Sequence, residues 1–251
     1  MIVVAHPDDE TIGIGGHLGR LHPTHIVHVT DGAPRNGRDA TKLGFYTRSA
    51  YAAARRAEVT AAIAEAGIEA NALISFGIPD QEAARHMASI ARRLQMLITK
   101  ARPSFICTHA YEGGHPDHDA IALAVNAACL TLDCLGRPRP QIIEMAFYRA
   151  SPTGAVFQDF SPDIPDTVLE IRLDDAAIAL KQRMLEHFVT QKRLLASFST
   201  QIERFRAAPA YDFSQPPNGG LLLYEQWQLG VTGGEWLRLA EAAARELGWA
   251  K

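Results

Sequence analysis

Cysteine is scarce in this sequence. Cys107, Cys129 and Cys134 are the three present, and no two form a Cys-x-x-Cys pair, which argues against a disulfide framework and against a zinc knuckle. An excess of one charge is also missing: the net charge of -3 offers no basic field for a phosphate backbone, so no nucleic-acid partner is expected. No apolar run approaches the ~20 residues of a membrane span. Nor does a basic segment lead into an apolar signal core at the N-terminus, and a cytoplasmic protein is the expectation. Internal repeats and low-complexity linkers are absent as well. What is present is a chain of 251 residues, 47% hydrophobic, long enough to bury a substantial core without staples.

Strand-like segments at 2–5, 25–30, 70–76 and 103–108 alternate with helix-like segments at 11–21, 47–67, 81–101 and 117–132. That order predicts an α/β fold with a mostly parallel sheet and helices on both faces. Gly67 is expected to cap the alanine-rich helix before it, and Pro103 to stop the next one. Later strands are expected in Gln141–Tyr148 and Thr167–Leu173, a long helix from Asp174 to about Ser197, and an amphipathic helix over Gly234–Leu247. Gly136–Pro140 and Ser151–Pro165 read as loops. No domain boundary stands out, so residues 1–251 are expected to form a single domain.

Two clusters carry the chemistry. Ala5-His6-Pro7-Asp8-Asp9-Glu10 follows the first strand, and Thr108-His109-Ala110-Tyr111-Glu112-Gly113-Gly114-His115-Pro116-Asp117-His118 follows the fourth. In open α/β sheets, ligands bind outside the carboxyl ends of the strands, where both clusters fall. A catalytic zinc site keeps three protein ligands and one open position, and His6, Asp9 and His118 supply such a set. Asp8 stays free to act as base on a water, and His115 suits oxyanion stabilisation and proton donation. Asp117 is expected to orient His115 and favour its protonated form.

His6-Pro7-Asp8-Asp9-Glu10 together with His115-Pro116-Asp117-His118 resembles the signature pair of the LmbE-like, or PIG-L, family of zinc-dependent N-deacetylases. The resemblance covers about residues 1 to 200 and maps the segment 205–251 least well. It implies a Rossmann-like fold and an N-acetylglucosamine-type amide as substrate. It also implies metal on His6, Asp9 and His118, base function at Asp8 and acid or electrophilic function at His115. Arg56 and Asp80 resemble the family's substrate-binding positions, where a guanidinium holds sugar hydroxyls or a phosphate and a carboxylate accepts from two adjacent hydroxyls. One departure is Gly113, which stands where some members carry a tyrosine, with Tyr111 nearby.

Each signal has a plainer reading. Glu10 reads as support for the turn. Gly13, Gly15 and Gly16 lack the spacing of a dinucleotide fingerprint and point to close packing. Asp31 reads equally as pocket lining or as a turn residue, and His109 as structural or as a supporting neighbour of the metal. His22 and the remaining histidines have no ligand spacing. The aromatic stretch Tyr211, Phe213, Tyr224, Trp227 and Trp236 reads as a core edge, a lid or a subunit contact. Three functions stay open: an amino-sugar N-deacetylase, a metal-dependent hydrolase of a different small-molecule amide, and a noncatalytic metal-stabilised module. Zn2+ is the expected ion, with Fe2+ and Co2+ suited to the same ligands. The expected partner is a small N-acetylated sugar or conjugate, and self-association is left open.

Overall fold

Three consecutive β-branched residues form β1 (Ile2–Val4), and all three are buried. The computed structural model describes residues 1–21, 24–164 and 167–249. His22 and the Pro165 end of the expected 151–165 loop lie outside them. The chain divides into two compact units, one of Ile2–Asp80 with Leu169–Arg204, the other of Met1, Gln81–Val168 and Phe205–Lys251.

In the first unit β1 pairs in parallel with β2 (Ile26–Pro34), Ile2 facing Ile26 and Val4 facing His28, and β2 pairs in parallel with β3 (Leu73–Asp80). The connections are α1 (Asp9–Ile14) and then, past the short α2 (Arg38–Lys42), the long α3 (Arg48–Glu65). Thr47 caps α3 by accepting from Ala50 N, and Gly67 ends it with φ 73°, a conformation that glycine adopts without steric cost. The expected helix over 11–21 is short, because the chain leaves α1 after Ile14 and passes into a 3-10 turn at Leu18–Arg20. Gly16 marks a close approach: a Cβ there would lie 2.6 Å from Leu173 Cδ1, and its N–H donates to Glu203.

In the second unit α4 (Met87–Ala101) leads into β4 (Phe105–His109), α5 (Pro116–Cys134) and β5 (Gln141–Met145), with β4 and β5 parallel. Every residue of α5 from Pro116 to Val125 is buried, which its run of alanines permits by keeping the helix slim. The expected strand 141–148 is two strands. Its end, β6 (Tyr148–Ser151), turns back on β7 (Gly154–Phe157) as a separate hairpin.

β8 (Leu169–Arg172) and α6 (Asp175–Glu186) return the chain to the first unit. The helix expected to reach Ser197 stops at Glu186. Thr190 instead binds Glu58 of α3 through both its N–H and its hydroxyl, and α7 (Lys192–Leu195) follows. β9 (Ile202–Ala207) was not expected; its end pairs antiparallel with β5. α8 (Leu223–Gln226) and α9 (Gly233–Glu246) close the chain, α9 close to its expected bounds. Among the described residues no helix is long and apolar enough to cross a membrane.

Candidate active site

The first cluster turns sharply at the carboxyl end of β1. Asp8 N and Asp9 N both donate to His6 O, and Asp8 takes φ 156°, a strained value for a residue with a side chain. His6 N donates to Asp9 Oδ2 at 2.7 Å, and that oxygen lies 3.3 Å from His6 Nδ1. Two ligands of one tetrahedral ion, each ~2.0–2.1 Å from it, stand about 3.3 Å apart. The donor set therefore fits a divalent transition metal. The other ring nitrogen, Nε2, lies 3.0 Å from Asp80 Oδ1 at the end of β3, the carboxylate–histidine arrangement that fixes a ligand's tautomer and orientation.

Asp8 lies in the same turn and is buried. Arg55 of α3 donates through Nη2 to Asp8 Oδ2 and to Pro7 O, both at 3.1 Å, and through Nη1 to Gly32 O at 2.8 Å. Burial pushes the Asp8 carboxyl up to about 8, against the pull of the Arg55 guanidinium, with Asp9 adding to the rise. A carboxyl in that range exchanges protons near neutrality, as a general base must. Glu10 turns into the protein, meeting His28 Nε2 at 2.8 Å and Thr11 Oγ1 at 2.7 Å. Asp31 is held in its own turn by Ala33 N and by Arg48.

The second cluster is built on α5. His115 is the N-cap, and its Nδ1 accepts from Asp117 N at 3.2 Å. A ring nitrogen that accepts carries no proton, so the network assigns the proton of the neutral ring to Nε2, which can donate. Pro116 sits at the first helical position, where the missing N–H costs nothing. Both oxygens of Asp117 take backbone donors, Ala83 N at 2.9 Å and Gln81 N at 2.7 Å. The His118 ring stacks on His109 at 3.8 Å, and a nitrogen of His118 lies within 4.8 Å of one in His109 and of one in His115.

The loop before His115 is fixed by Asp119 and Arg206, neither of which carries a motif signal in the sequence. Asp119 Oδ1 accepts from Glu112 N and Gly113 N, and burial raises the carboxyl of Asp119 well above its ordinary range. Arg206 of β9 donates to Glu112, Glu144 and Tyr211 from full burial, its guanidinium 4.2 Å over the Phe160 ring. Gly114 is required by contact, since a Cβ would lie 2.0 Å from Tyr148 O. Gly113 has φ 70°, with Leu222 2.7 Å from where a Cβ would stand, so this backbone has no room for the tyrosine found in some relatives of the motif. Tyr111 does not replace it, because its ring is buried against Trp236 and Phe213 and its hydroxyl donates to Gln215 O at 3.0 Å.

Within the first unit the structure brings His6, Asp8, Asp9 and Asp80 together, and within the second His109, His115, Asp117 and His118. Arg56 follows Arg55 but takes another direction, its Nη2 donating to Leu73 O. Arg55 had a legible signal. It lies on the stripe of Tyr51, Val59 and Ala62, which is the buried face of α3.

A family model described as "PIG-L: GlcNAc-PI de-N-acetylase" matches residues 1–129, which include both clusters. A probable N-acetyl-alpha-D-glucosaminyl L-malate deacetylase 2 of Bacillus cereus is 26% identical over 76% of this chain and 97% of its own. A 1D-myo-inositol 2-acetamido-2-deoxy-alpha-D-glucopyranoside deacetylase of a Mycobacterium species is 26% identical over 87% of this chain and 75% of its own. Among solved structures, a deacetylase of teicoplanin biosynthesis aligns with TM-score 0.63 at 17% identity, covering 84% of this chain and 98% of that one, a likeness of fold.

Proposed function

The chain belongs to the PIG-L family, and from that premise we propose that it is a metal-dependent N-deacetylase, releasing acetate from the amide of an N-acetylglucosamine-type sugar or conjugate. The metal ligands in this reading are His6, Asp9 and His118. The observation that carries it is the 3.3 Å spacing of His6 Nδ1 and Asp9 Oδ2, with Asp80 on the far side of the His6 ring. A divalent ion such as Zn2+ supplies, in a site of this kind, a water of lowered pKa and a polarised carbonyl.

The chain's own residues do the rest. Asp8 takes the proton of the attacking water, held in line by Arg55, and delivers a proton to the departing amine nitrogen. His115 offers Nε2–H to the oxygen that becomes negative as the carbonyl carbon turns tetrahedral. The C–N bond then breaks, and acetate and the free amine leave. Asp117 keeps the 81–83 segment against the His115 turn. Asp80, which also steadies His6, is the proposed contact to sugar hydroxyls; the expected contact from Arg56 is not kept, because its guanidinium donates to Leu73 O at the opposite end of β3 from Asp80.

Acetate release from a panel of N-acetylglucosamine derivatives, with metal content measured on the same sample and Asp8→Asn as blank, tests this function. Release is expected from at least one derivative and not from the blank. Metal-loaded protein that releases acetate from no member of the panel would move the assignment to a different small-molecule amide.

A further inference from the structure

Trp227 is an indole left in water. It ends α8 and is 40% exposed, whereas Trp236 is fully buried. Its position is nevertheless fixed. Trp227 N donates to Leu223 O and Leu229 N to Tyr224 O, and Gln228 between them takes the left-handed φ of 55°, a conformation that disfavours a residue with a side chain. The start of α8 hangs on the turn before the second cluster, because Leu223 N donates to Gly113 O at 2.8 Å.

The indole also leads inward. Its ring lies 5.5 Å from that of Tyr148, and the Tyr148 ring lies 5.2 Å from that of His118. Trp227 thus stands one ring, that of Tyr148, away from His118, on the solvent side. Its immediate neighbours Gln226 and Gln228 are exposed amides, and the following turn passes Gln81, whose Oε1 lies 3.5 Å from where a Cβ of Gly230 would stand. An exposed, flat, electronegative ring face with amide residues next to it in the chain matches a pyranose, whose C–H face would pack on the indole while its rim of hydroxyls stays open to amide donors and acceptors.

We infer that Trp227 forms a second sugar subsite, so that the preferred substrate is an N-acetylated amino sugar joined to a further pyranose. The inference rests on the deacetylase reading for its reaction, not for its binding.

Two measurements test it. In the first, kcat/KM for deacetylation is compared between N-acetylglucosamine and its β-1,4-linked disaccharide in wild type, Trp227→Ala and Trp227→Phe. The disaccharide-to-monosaccharide ratio is expected to fall about tenfold in Trp227→Ala, the scale of one moderate aromatic contact, and to recover largely in Trp227→Phe. In the second, saturation-transfer NMR of the same disaccharide on Asp8→Asn protein is expected to mark the C–H face of the second ring, with the signal lost when Trp227→Ala is added. This readout needs no turnover. If wild type deacetylates neither sugar while the NMR result holds, the activity falls and the subsite stands. A ratio unchanged in Trp227→Ala, or no second-ring signal, overturns the subsite. So does an effect confined to an aryl glycoside tested alongside, since the occupant is then an aromatic aglycone.

Discussion

Arg55 Nη2 lies 3.1 Å from Asp8 Oδ2, and the two side chains are only 3% and 5% exposed. An ion pair at that depth aligns its carboxylate, and removing one member strands the other.

Replacing Arg55 with alanine is therefore expected to destabilise the fold by about 3 kcal/mol, the cost of an uncompensated buried charge. The loss should be larger at pH 8.5 than at pH 6, because at the lower pH Asp8 can escape by taking a proton. Urea unfolding at the two pH values measures it; an equal loss at both would show that Asp8 is not the stranded group.

Stability of chelator-treated protein should fall as pH rises from about 4 to about 8. Unfolded carboxyls titrate near 4. In the fold, burial pushes Asp8 up to about 8 and Glu144 up to about 7, each opposed by its arginine partner. Between those values the folded state binds more protons, so each unit of pH weakens it. Thermal melts across this range should slope downward, and Asp8→Asn should flatten the slope.

Asp8→Asn should lower kcat by about 10²–10⁴, the usual contribution of a positioned base, while leaving bound metal in place. His115→Ala should lower kcat by about 10²–10³ through loss of an oxyanion donor. Turnover and metal content on the same preparations check both; wild-type turnover in either variant would remove that residue from the mechanism.

Gly114→Ala forces a methyl to 2.0 Å from the Tyr148 carbonyl oxygen, a contact that requires the backbone to move. A loss of about 1–3 kcal/mol is expected, with a larger loss where the strand cannot yield. Chemical denaturation measures it, and a neutral result would mean that β6 is free to shift.

Much of the site was legible because its chemistry is written in local runs. His6 to Glu10 and His115 to His118 each follow an apolar strand, and a strand end is where an α/β protein displays ligands. Gly67 and Pro103 likewise announced their helix ends by backbone requirement alone. What stayed hidden depends on partners distant in sequence. β9 reads as polar because Glu203 and Arg206 interrupt it, yet both are buried, satisfied by Lys181 and His17 in one case and by Glu112 and Glu144 in the other. The hairpin of β6 and β7 carries loop-like residues at its turn. Arg55 and Arg56 are chemically identical, and only the phase of α3 separates the one that meets Asp8 from the one that meets Leu73 O. Spacing pairs Asp117 with His115, but the backbone donors to its carboxylate, Gln81 and Ala83, were not legible because they come from another segment.

Metal stoichiometry by elemental analysis of wild type, His6→Ala and His118→Ala tests the central claim most directly. Each histidine comes from a different cluster, and the proposed centre needs both. One divalent ion per wild-type chain and loss of tight binding in either variant are expected. Full occupancy in His118→Ala, or in His6→Ala, would contradict a single shared centre.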